Sequence, residues 1–301
     1  MIPFGRAVCY SGYRENQGPQ LKVYPSYDEV LEDLKILSKH FDYIRMYDPY
    51  EHAQTVLKVI HENKINLKVM VGVEPRGEVS NPNCPWGGLH SDLEIESNKV
   101  SNYKQLDLLA SLCNQYEEHI LAVAVGNECT SDWHHNLMKP ETIAAHVKYL
   151  KSKVNKPVTF CEGAYYFLKY GEEIAKEVDF ISIHSYPMWL KTRVKDALAA
   201  TQDDFMKNRE KYPDKQIIFT EYGWTTKADS KMNEDEANEE TQDLYLTAVK
   251  KWSEESRITM FLFEAFDEPW KGSSNPDEPE KHWGIMDVKR KPKLFFSKQN
   301  K

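Results

Sequence analysis

The chain has no long hydrophobic run and no cluster of basic residues. Its longest apolar stretches are about as long as Ile120 to Val125, six residues, whereas a helix that crosses a bilayer needs about 20. Lysine and arginine number 39 against 47 aspartate and glutamate, which gives a net charge of −8. Nonspecific binding to nucleic acid depends on basic residues that neutralise phosphates. We therefore predict no membrane span and no nucleic-acid partner, and a neutral ligand fits the composition better.

Cysteine and glycine are also scarce. The five cysteines are odd in number and form no CxxC pair, which excludes a complete disulfide framework. With only 13 glycines, 41% hydrophobic residues and 12% aromatic residues, the chain is neither collagen-like nor disordered and can bury a substantial core. On length alone, 301 residues fit one large α/β barrel or two smaller domains.

Eight short runs rich in strand-forming residues lie along the chain and alternate with segments of helical periodicity. This count matches an α/β fold of the (β/α)8 TIM-barrel type, because a doubly wound sheet usually has fewer strands and often a glycine-rich first turn. No GxGxxG follows the first run, and no change in composition marks a linker. We therefore predict a single barrel domain over residues 1–301. Its strands are expected at Phe4 to Tyr10, Tyr43 to Tyr47, Leu67 to Val73, Ile120 to Val125, Pro157 to Cys161, Phe180 to Ser185, Gln216 to Thr220 and Ile258 to Phe263.

The ends of these runs are rich in acidic side chains. In a TIM barrel, polar residues at the C-terminal ends of the strands face the active-site mouth. One mouth would therefore collect at least five carboxylates, together with tyrosine and tryptophan. The acidic residues at the run ends are Asp48, Glu74, Glu128, Glu162, Glu221, Glu264, Asp267 and Glu268.

Two of these glutamates stand in matching contexts after runs four and seven, roughly opposite each other across a barrel. Glu128 ends the segment Val125 to Glu128 (VGNE), and Glu221 lies in Thr220 to Trp224 (TEYGW). The segment RMYD on run two and the segment FEAFDEPWK after run eight, followed by EKHWG, complete the pattern. Through these segments nearly the whole chain resembles the retaining glycoside hydrolases of clan A. It is more closely similar to glycoside hydrolase family 17, the β-1,3-glucanase family, in its microbial branch.

The resemblance implies that Glu128 is the general acid/base and Glu221 the nucleophile. Glycoside chemistry gives an independent reason for such a pair. A glycosidic oxygen is a poor leaving group, so one carboxyl group must protonate it while a carboxylate about 5 Å away attacks C1 from the opposite face. Either glutamate alone could be a helix cap or a surface charge, but the two matching contexts together favour catalysis.

The resemblance also implies a set of residues around the pair. Asn127 corresponds to the clan A asparagine that binds the sugar 2-hydroxyl. Arg45 shares a strand face with Tyr47 and is expected to keep Glu221 ionised, with His184 as a second supporting residue. The expected substrate-binding residues are Tyr47, Asn127, Tyr186, Tyr222, Trp224, Glu264, Glu268, Trp270, Lys271, Glu280 and Trp283.

Aromatic residues in the loops at the mouth suit the apolar faces of a glucan chain, which stack on exposed rings. The further candidates are Trp86, Trp133, Tyr165, Tyr166 and Trp189. Two positions beside the nucleophile depart from the plant pattern. Tyr222 stands where plant members have Ser or Thr, and Thr225 stands where they have Pro, so we expect a different subsite shape and a different balance of hydrolysis to transfer.

We predict no metal and no cofactor. His184 and His282 have no third ligand at the spacing of a metal site, and neither an HxH after the first run nor an HExxH occurs. A metal-dependent hydrolase barrel is therefore disfavoured.

The expected activity is retaining hydrolysis of β-1,3-glucosidic bonds in laminarin-like glucan, with endo action, by a chain that works as a monomer. Two alternatives stay open: a β-1,3-glucanosyltransferase that passes the glycosyl group to another glucan, and a catalytically silent glucan-binding barrel. Residues 1–20 contain no basic segment followed by an apolar one. We favour a secreted, periplasmic or cell-surface location with the export signal removed, and a cytoplasmic location stays open.

Overall fold

Eight parallel strands form a closed barrel in the computed structural model, which describes residues 1–299. Each strand pairs with its neighbour in chain order, and β8 closes the barrel against β1. The predicted (β/α)8 barrel is therefore confirmed, and each strand lies where a run was expected. The strands are β1 (Arg6–Cys9), β2 (Tyr43–Met46), β3 (Lys68–Gly72), β4 (Ile120–Asn127), β5 (Val158–Gly163), β6 (Ile181–Ser185), β7 (Ile217–Tyr222) and β8 (Met260–Leu262).

Helices cover the outside of the barrel. Two of them begin with a capping box, in which the N-terminal serine accepts from a backbone N–H and the glutamate three residues on returns a bond: Ser26 with Glu29 and Ser91 with Glu94. The helices are α1 (Tyr27–Leu37), α2 (Glu51–Asn63), α3 (Asp92–Gln115), α4 (Pro140–Lys151), α5 (Ala164–Tyr170), α6 (Glu172–Glu177), α7 (Val194–Lys211), α8 (Glu239–Ser256) and α9 (Leu294–Gln299). In residues 1–299, none of the helices combines the length and the apolar character that a membrane crossing requires.

The strands are apolar on both faces. One face points into the barrel and the other packs under the helices, so the side chains of Val8, Ile44, Val69 and Val123 are all fully buried. Parallel strands covered on both sides therefore appear in the sequence as continuous hydrophobic runs. This is why the runs could be located without an alternating pattern.

Three strands continue past their expected ends. β4 reaches Asn127, β5 includes Glu162, and β7 includes Glu221, so these polar side chains lie within the last residues of the strands. The strand pairing shifts register at the same level, between Ala124 and Asn127 and between Phe219 and Tyr222. Such irregularities redirect side chains at barrel rims, and here they lie beside the polar residues of the mouth.

A buried ion pair ties the segment after β8 to the start of the barrel. Arg290 donates from Nη2 to Asp33 Oδ2 at 2.6 Å and from Nε to Asp33 Oδ1 at 2.7 Å. Arg290 Nη2 also donates to the carbonyl of Gly12 at 2.7 Å, and Tyr10 donates its hydroxyl to Asp33 at 3.1 Å. Arg290 is thus held against α1 and against the loop that follows β1, although it lies far from both in the chain.

Arg290→Met should lower the free energy of unfolding by about 3 kcal/mol or more, because it leaves the Asp33 carboxylate buried without its main partner. The control is Lys207→Met, whose partner Asp203 lies in an exposed i,i+4 pair and which should change stability little. Urea denaturation of both variants measures the difference. Equal stability of the two variants would contradict a structural role for the Asp33–Arg290 pair.

Candidate active site

Glu221 lies at the mouth of the barrel and accepts three hydrogen bonds through its carboxylate. Arg45 Nη1 lies 2.5 Å from Oε1, and the hydroxyl of Tyr47 donates to the same oxygen at 2.9 Å. The hydroxyl of Tyr186 donates to Oε2 at 2.6 Å. Both Glu221 and Arg45 are buried. The carboxylate is thus fixed in position by side chains from β2 and from the turn after β6.

The charges around Glu221 keep it ionised. Burial by itself raises the pKa of a carboxyl group, but the positive charges of His184 and Arg45, with the hydroxyl of Tyr186, outweigh burial and hold the pKa of Glu221 well below its ordinary value. Glu221 is therefore negatively charged at neutral pH and presents an anion to the mouth.

Glu128 faces Glu221 across a histidine. His184 Nδ1 lies 2.8 Å from Glu128 Oε1 and 3.5 Å from Glu221 Oε2, and carboxylate oxygens of the two glutamates lie within 4.8 Å of each other. The side chain of Glu128 is 21% exposed, so a ligand in the mouth can reach it. Burial disfavours the imidazolium, but Glu221, Cys161 and Glu128 together raise the pKa of His184 to about 10.

The backbone at Glu128 adopts an unusual conformation. Its φ angle is +52°, in the left-handed region that non-glycine residues rarely occupy and that costs about 1 kcal/mol or more. Asn127, one residue earlier, accepts from Arg45 Nη2 through Oδ1 at 2.5 Å. Because its oxygen is used in this way, the NH2 group of Asn127 is the part available to a ligand.

Glu162 is a functional candidate to which the sequence analysis gave no role beyond a place at the mouth. Its buried carboxylate accepts from the N–H and hydroxyl of Thr130 at 3.0 and 2.6 Å, from the Ser131 hydroxyl at 2.8 Å and from the Gly163 N–H at 2.7 Å. Burial and repulsion from Glu128 raise its pKa to about 7. Glu162 therefore holds Thr130 and Ser131 in the turn that follows Glu128.

A second carboxylate cluster surrounds Lys271, in the segment after β8. Lys271 Nζ lies 3.0 Å from Glu264 Oε2 and 2.5 Å from Glu268 Oε2. Burial and repulsion from Glu268 raise the pKa of Glu264 well above its ordinary value, so a proton on Glu264 is favoured. Burial also raises the pKa of Glu280 to about 7, with further contributions from the charges of Glu128 and Glu221. The structure thus brings these expected residues together beside the catalytic candidates.

Tyr222, Trp224 and Trp283 were expected at the sugar-binding surface, and the structure places their rings elsewhere. Side chains alternate along a strand, so Tyr222 points away from the mouth and packs near Tyr245 of α8. Trp224 is fully buried, contacts the same tyrosine at 5.3 Å and donates through Nε1 to a backbone carbonyl. Trp283 is also buried. Strand alternation applied to β7 would have shown that Glu221 and Tyr222 cannot share a face.

Trp283 instead packs against other aromatic residues next to the candidate site. Its ring lies 5.1 Å from the ring of Tyr186 and 6.0 Å from that of Phe263. It therefore packs against the tyrosine that donates to Glu221, and its ring is not exposed to a sugar.

Other aromatic candidates are accessible. The ring of Trp270 is half-buried and lies 5.5 Å from Tyr13, and its Nε1 has no hydrogen-bond partner among residues 1–299. Trp86, Tyr165 and Trp189 are exposed. These rings remain candidates for contact with a sugar, in contrast to Trp224 and Trp283.

The sequence spacing around His184 shows no further metal ligand, but the fold brings two carboxylates to it. Ligand atoms of Glu128, His184 and Glu221 converge within 4.8 Å. The donor set nevertheless suits a metal ion poorly, because the guanidinium of Arg45 already lies 2.5 Å from Glu221 and His184 is stabilised as an imidazolium. A cation would have to displace the guanidinium of Arg45 and remove a proton from His184.

A barrel whose mouth holds two facing carboxylates, one of them fixed as an anion, has the arrangement of a glycoside-cleaving site. The match to a family model agrees with this class. Residues 7–284 match the BtgE/BtgC glycoside hydrolase domain, and the chain belongs to that family.

Individual relatives are distant. The chain is 24% identical to "Probable glucan endo-1,3-beta-glucosidase btgC" of Aspergillus terreus over 89% of its own length, and it spans only 41% of that relative. Among solved structures, an endo-laminarinase from Formosa Hel1_33_131 superposes with a TM-score of 0.82 at 23% identity, covering 98% of this chain and 86% of the other. The glycoside hydrolase family 17 beta-1,3-glucanosyltransferase from Rhizomucor miehei superposes with a TM-score of 0.74 at 18% identity, covering 96% and 95%. These two structures establish the similarity of fold.

Glu162→Gln should remove a pH dependence of stability that the wild type has. Because the pKa of Glu162 is raised from about 4.5 to about 7, the folded state holds a proton that the unfolded state has lost. The stability of the wild type relative to the variant should therefore fall as pH rises through this window. Urea denaturation across the window measures the difference, with the exposed Glu96→Gln on α3 as the control. A constant difference at all pH values would contradict the raised pKa.

Proposed function

We propose that this chain is a glycoside hydrolase family 17 enzyme that hydrolyses β-1,3-glucosidic bonds with retention of configuration, with endo action on laminarin-like glucan. The observation that carries the proposal is the approach of Glu128 and Glu221 to within 4.8 Å. This separation suits retaining enzymes, in which the carboxyl groups are about 5 Å apart, and is too short for the water that an inverting enzyme places between them. The names of the relatives support the β-1,3 linkage.

In the first step, protonated Glu128 donates its proton to the glycosidic oxygen while a carboxylate oxygen of Glu221 attacks C1. The bond from C1 to the glycosidic oxygen breaks, the leaving glucan departs as an alcohol, and an ester joins Glu221 to the sugar. Ion pairing with Arg45 keeps Glu221 available as the anion this step needs. The NH2 group of Asn127 is placed to donate to the 2-hydroxyl, a hydrogen bond that strengthens in the transition state.

In the second step, Glu128 acts as the base. The ester at Glu221 carries no charge, so His184 loses the negative neighbour that contributes most to its raised pKa. Ionised Glu128 removes a proton from water, whose oxygen attacks C1, and Glu221 leaves as a carboxylate. Two inversions at C1 restore the β configuration.

Transfer to a second glucan is the alternative that a specific observation favours. Trp189 and Tyr165 are exposed on the turn after β6 and on α5, and exposed rings of this kind can stack on the sugar faces of an acceptor glucan. A sugar hydroxyl held there would replace water in the second step. The similarity of fold to a β-1,3-glucanosyltransferase is compatible with this outcome. A silent glucan-binding barrel is disfavoured by the complete catalytic pair.

We further propose that the chain acts as a monomer and meets its substrate outside the cytoplasm. A site built wholly from one chain supports the first part, because the proposed chemistry needs no residue from a partner. The second follows from the size of a glucan polymer, which does not cross a membrane unaided.

Glu221→Ala should lower laminarin hydrolysis by about three orders of magnitude or more, because no other group can form the glycosyl ester. With an activated aryl β-glucoside and added azide, this variant should form the α-glycosyl azide, whereas Glu128→Ala should form the β-glycosyl azide. The control Glu96→Ala should keep full activity. Unchanged laminarin cleavage by Glu221→Ala would refute the proposal.

The products that the wild type forms from laminarihexaose distinguish retention from inversion, endo from exo action, and hydrolysis from transfer. A β anomer formed first supports retention, and an α anomer formed first contradicts it. A spread of shorter oligosaccharides supports endo action, glucose alone supports exo action, and products longer than the substrate support transfer.

Arg45→Gln should shift the acidic limb of kcat/KM to higher pH. Removal of the guanidinium takes away a charge that lowers the pKa of Glu221, so Glu221 becomes protonated at a higher pH, by about one unit. The control is Arg193→Gln, an exposed arginine paired with Asp235, which should leave the profile unchanged. A variant with lower activity but an unshifted limb would show that Arg45 acts by orientation alone.

A further inference from the structure

Three side chains capable of binding a metal ion meet at the end of the barrel opposite the mouth. His61 lies in the last turn of α2, and Glu118 and His119 lie in the short 3-10 turn immediately before β4. Active-site residues of TIM barrels lie at the C-terminal ends of the strands, so these residues are remote from the proposed chemistry. His61 is 57 residues from Glu118 and 58 residues from His119 in the chain, so the cluster joins two distant segments.

The three ligand atoms form an equilateral triangle. His61 Nδ1 lies 3.2 Å from Glu118 Oε1 and 3.2 Å from His119 Nε2, and His119 Nε2 lies 3.2 Å from Glu118 Oε1. Zn²⁺ binds histidine nitrogen and carboxylate oxygen at about 2.0–2.2 Å in a tetrahedron. Neighbouring ligand atoms of such a tetrahedron lie about 3.3 Å apart by simple geometry, which matches all three sides.

Hydrogen bonding explains the triangle incompletely. If only one of the two ring nitrogens carries a proton, at least one contact of the triangle joins two lone pairs. If both carry protons toward Glu118, the two N–H groups of His61 and His119 face each other at 3.2 Å. A cation bound at about 2.0–2.2 Å from each atom would satisfy all three, because each would then give a lone pair to the ion.

The surroundings favour the ligand form of these residues. Both histidines offer a ring nitrogen to the triangle, and a neutral imidazole nitrogen is a common metal ligand. The edge of Tyr116 packs against His61 at 5.9 Å, and Lys68 bonds to the backbone carbonyl of Glu118. The ring and the turn are thus held in place before any ion binds.

We propose that His61, Glu118 and His119 form a surface site for a divalent transition-metal ion of the Zn²⁺ type. The side chains of His61 and Glu118 are 56% and 68% exposed, so water can complete the fourth position of the tetrahedron. A bound ion ties the end of α2 to the start of β4 and stabilises the fold. Other ions compete according to the usual order of affinities, with Cu²⁺ and Ni²⁺ among them. This site is independent of the proposed function.

The test uses the full chain, freed of metal by a chelator that is then removed. Titration with Zn²⁺ followed by calorimetry should show one ion per chain, and the midpoint of thermal unfolding should rise with Zn²⁺ concentration. Co²⁺ should give the intense visible absorption of a tetrahedral site. His61→Ala, Glu118→Gln and His119→Ala should each weaken binding by about tenfold or more, and binding should weaken as the pH falls and the histidines protonate.

His90→Ala is the matched control, since it removes a histidine in a loop elsewhere, and it should bind Zn²⁺ as the wild type does. Laminarin hydrolysis should be the same with and without the ion, which separates this proposal from the proposed function. No binding to the wild type, or equal binding to the wild type and His61→Ala, would overturn the proposal. Zn²⁺ that inhibits hydrolysis and binds fully to His61→Ala would place the ion at Glu128, His184 and Glu221, and would also overturn it.

Discussion

The active-site end of this barrel depends on one buried ion pair, between Arg45 of β2 and Glu221 of β7. A buried carboxylate without a partner would take up a proton or unfold its surroundings. The guanidinium lies 2.5 Å from the carboxylate and also 2.5 Å from Asn127, and two tyrosine hydroxyls donate to Glu221 as well. Together with His184, this arginine therefore keeps the candidate nucleophile ionised, and it orients the residue before the candidate acid. Only a closed barrel can bring β2, β4 and β7 to a common centre in this way.

The surrounding carboxylates differ in charge state because their surroundings differ. Glu221 is held ionised by two positive neighbours, whereas burial raises the pKa of Glu162 and of Glu280 to about 7 and favours a proton on Glu264. The acidic residues at the mouth thus do not form a uniform field of negative charge. A neutral ligand with many hydroxyl groups, such as the proposed glucan, can find both acceptors and donors there.

Support for the candidate catalytic pair comes from buried residues around it. Glu162 fixes the turn after Glu128, whose φ of +52° needs such support. The ring of Trp283 packs against that of Tyr186. The register shifts near Asn127 and Tyr222 lie at the same level of the barrel. Functional positions on rigid strands with buried supports keep their geometry more tightly than positions on loops, and this chain concentrates such supports around Glu128 and Glu221.

The sequence by itself determined the fold class and the eight strands and singled out the two candidate glutamates, because buried parallel strands leave continuous apolar runs and each motif is a short contiguous segment. Arg45 and Glu221 could also be paired from strand position together with the family resemblance. The direction of each ring was decided only by tertiary structure: Tyr222 and Trp224 belong to a recognisable motif, yet strand alternation and the packing of α8 bury them. The roles of Glu162 and Trp283, and the meeting of His61 with Glu118 and His119, likewise depend on contacts between residues distant in the chain. Local periodicity carries no information about such contacts, since they exist only once the barrel has closed.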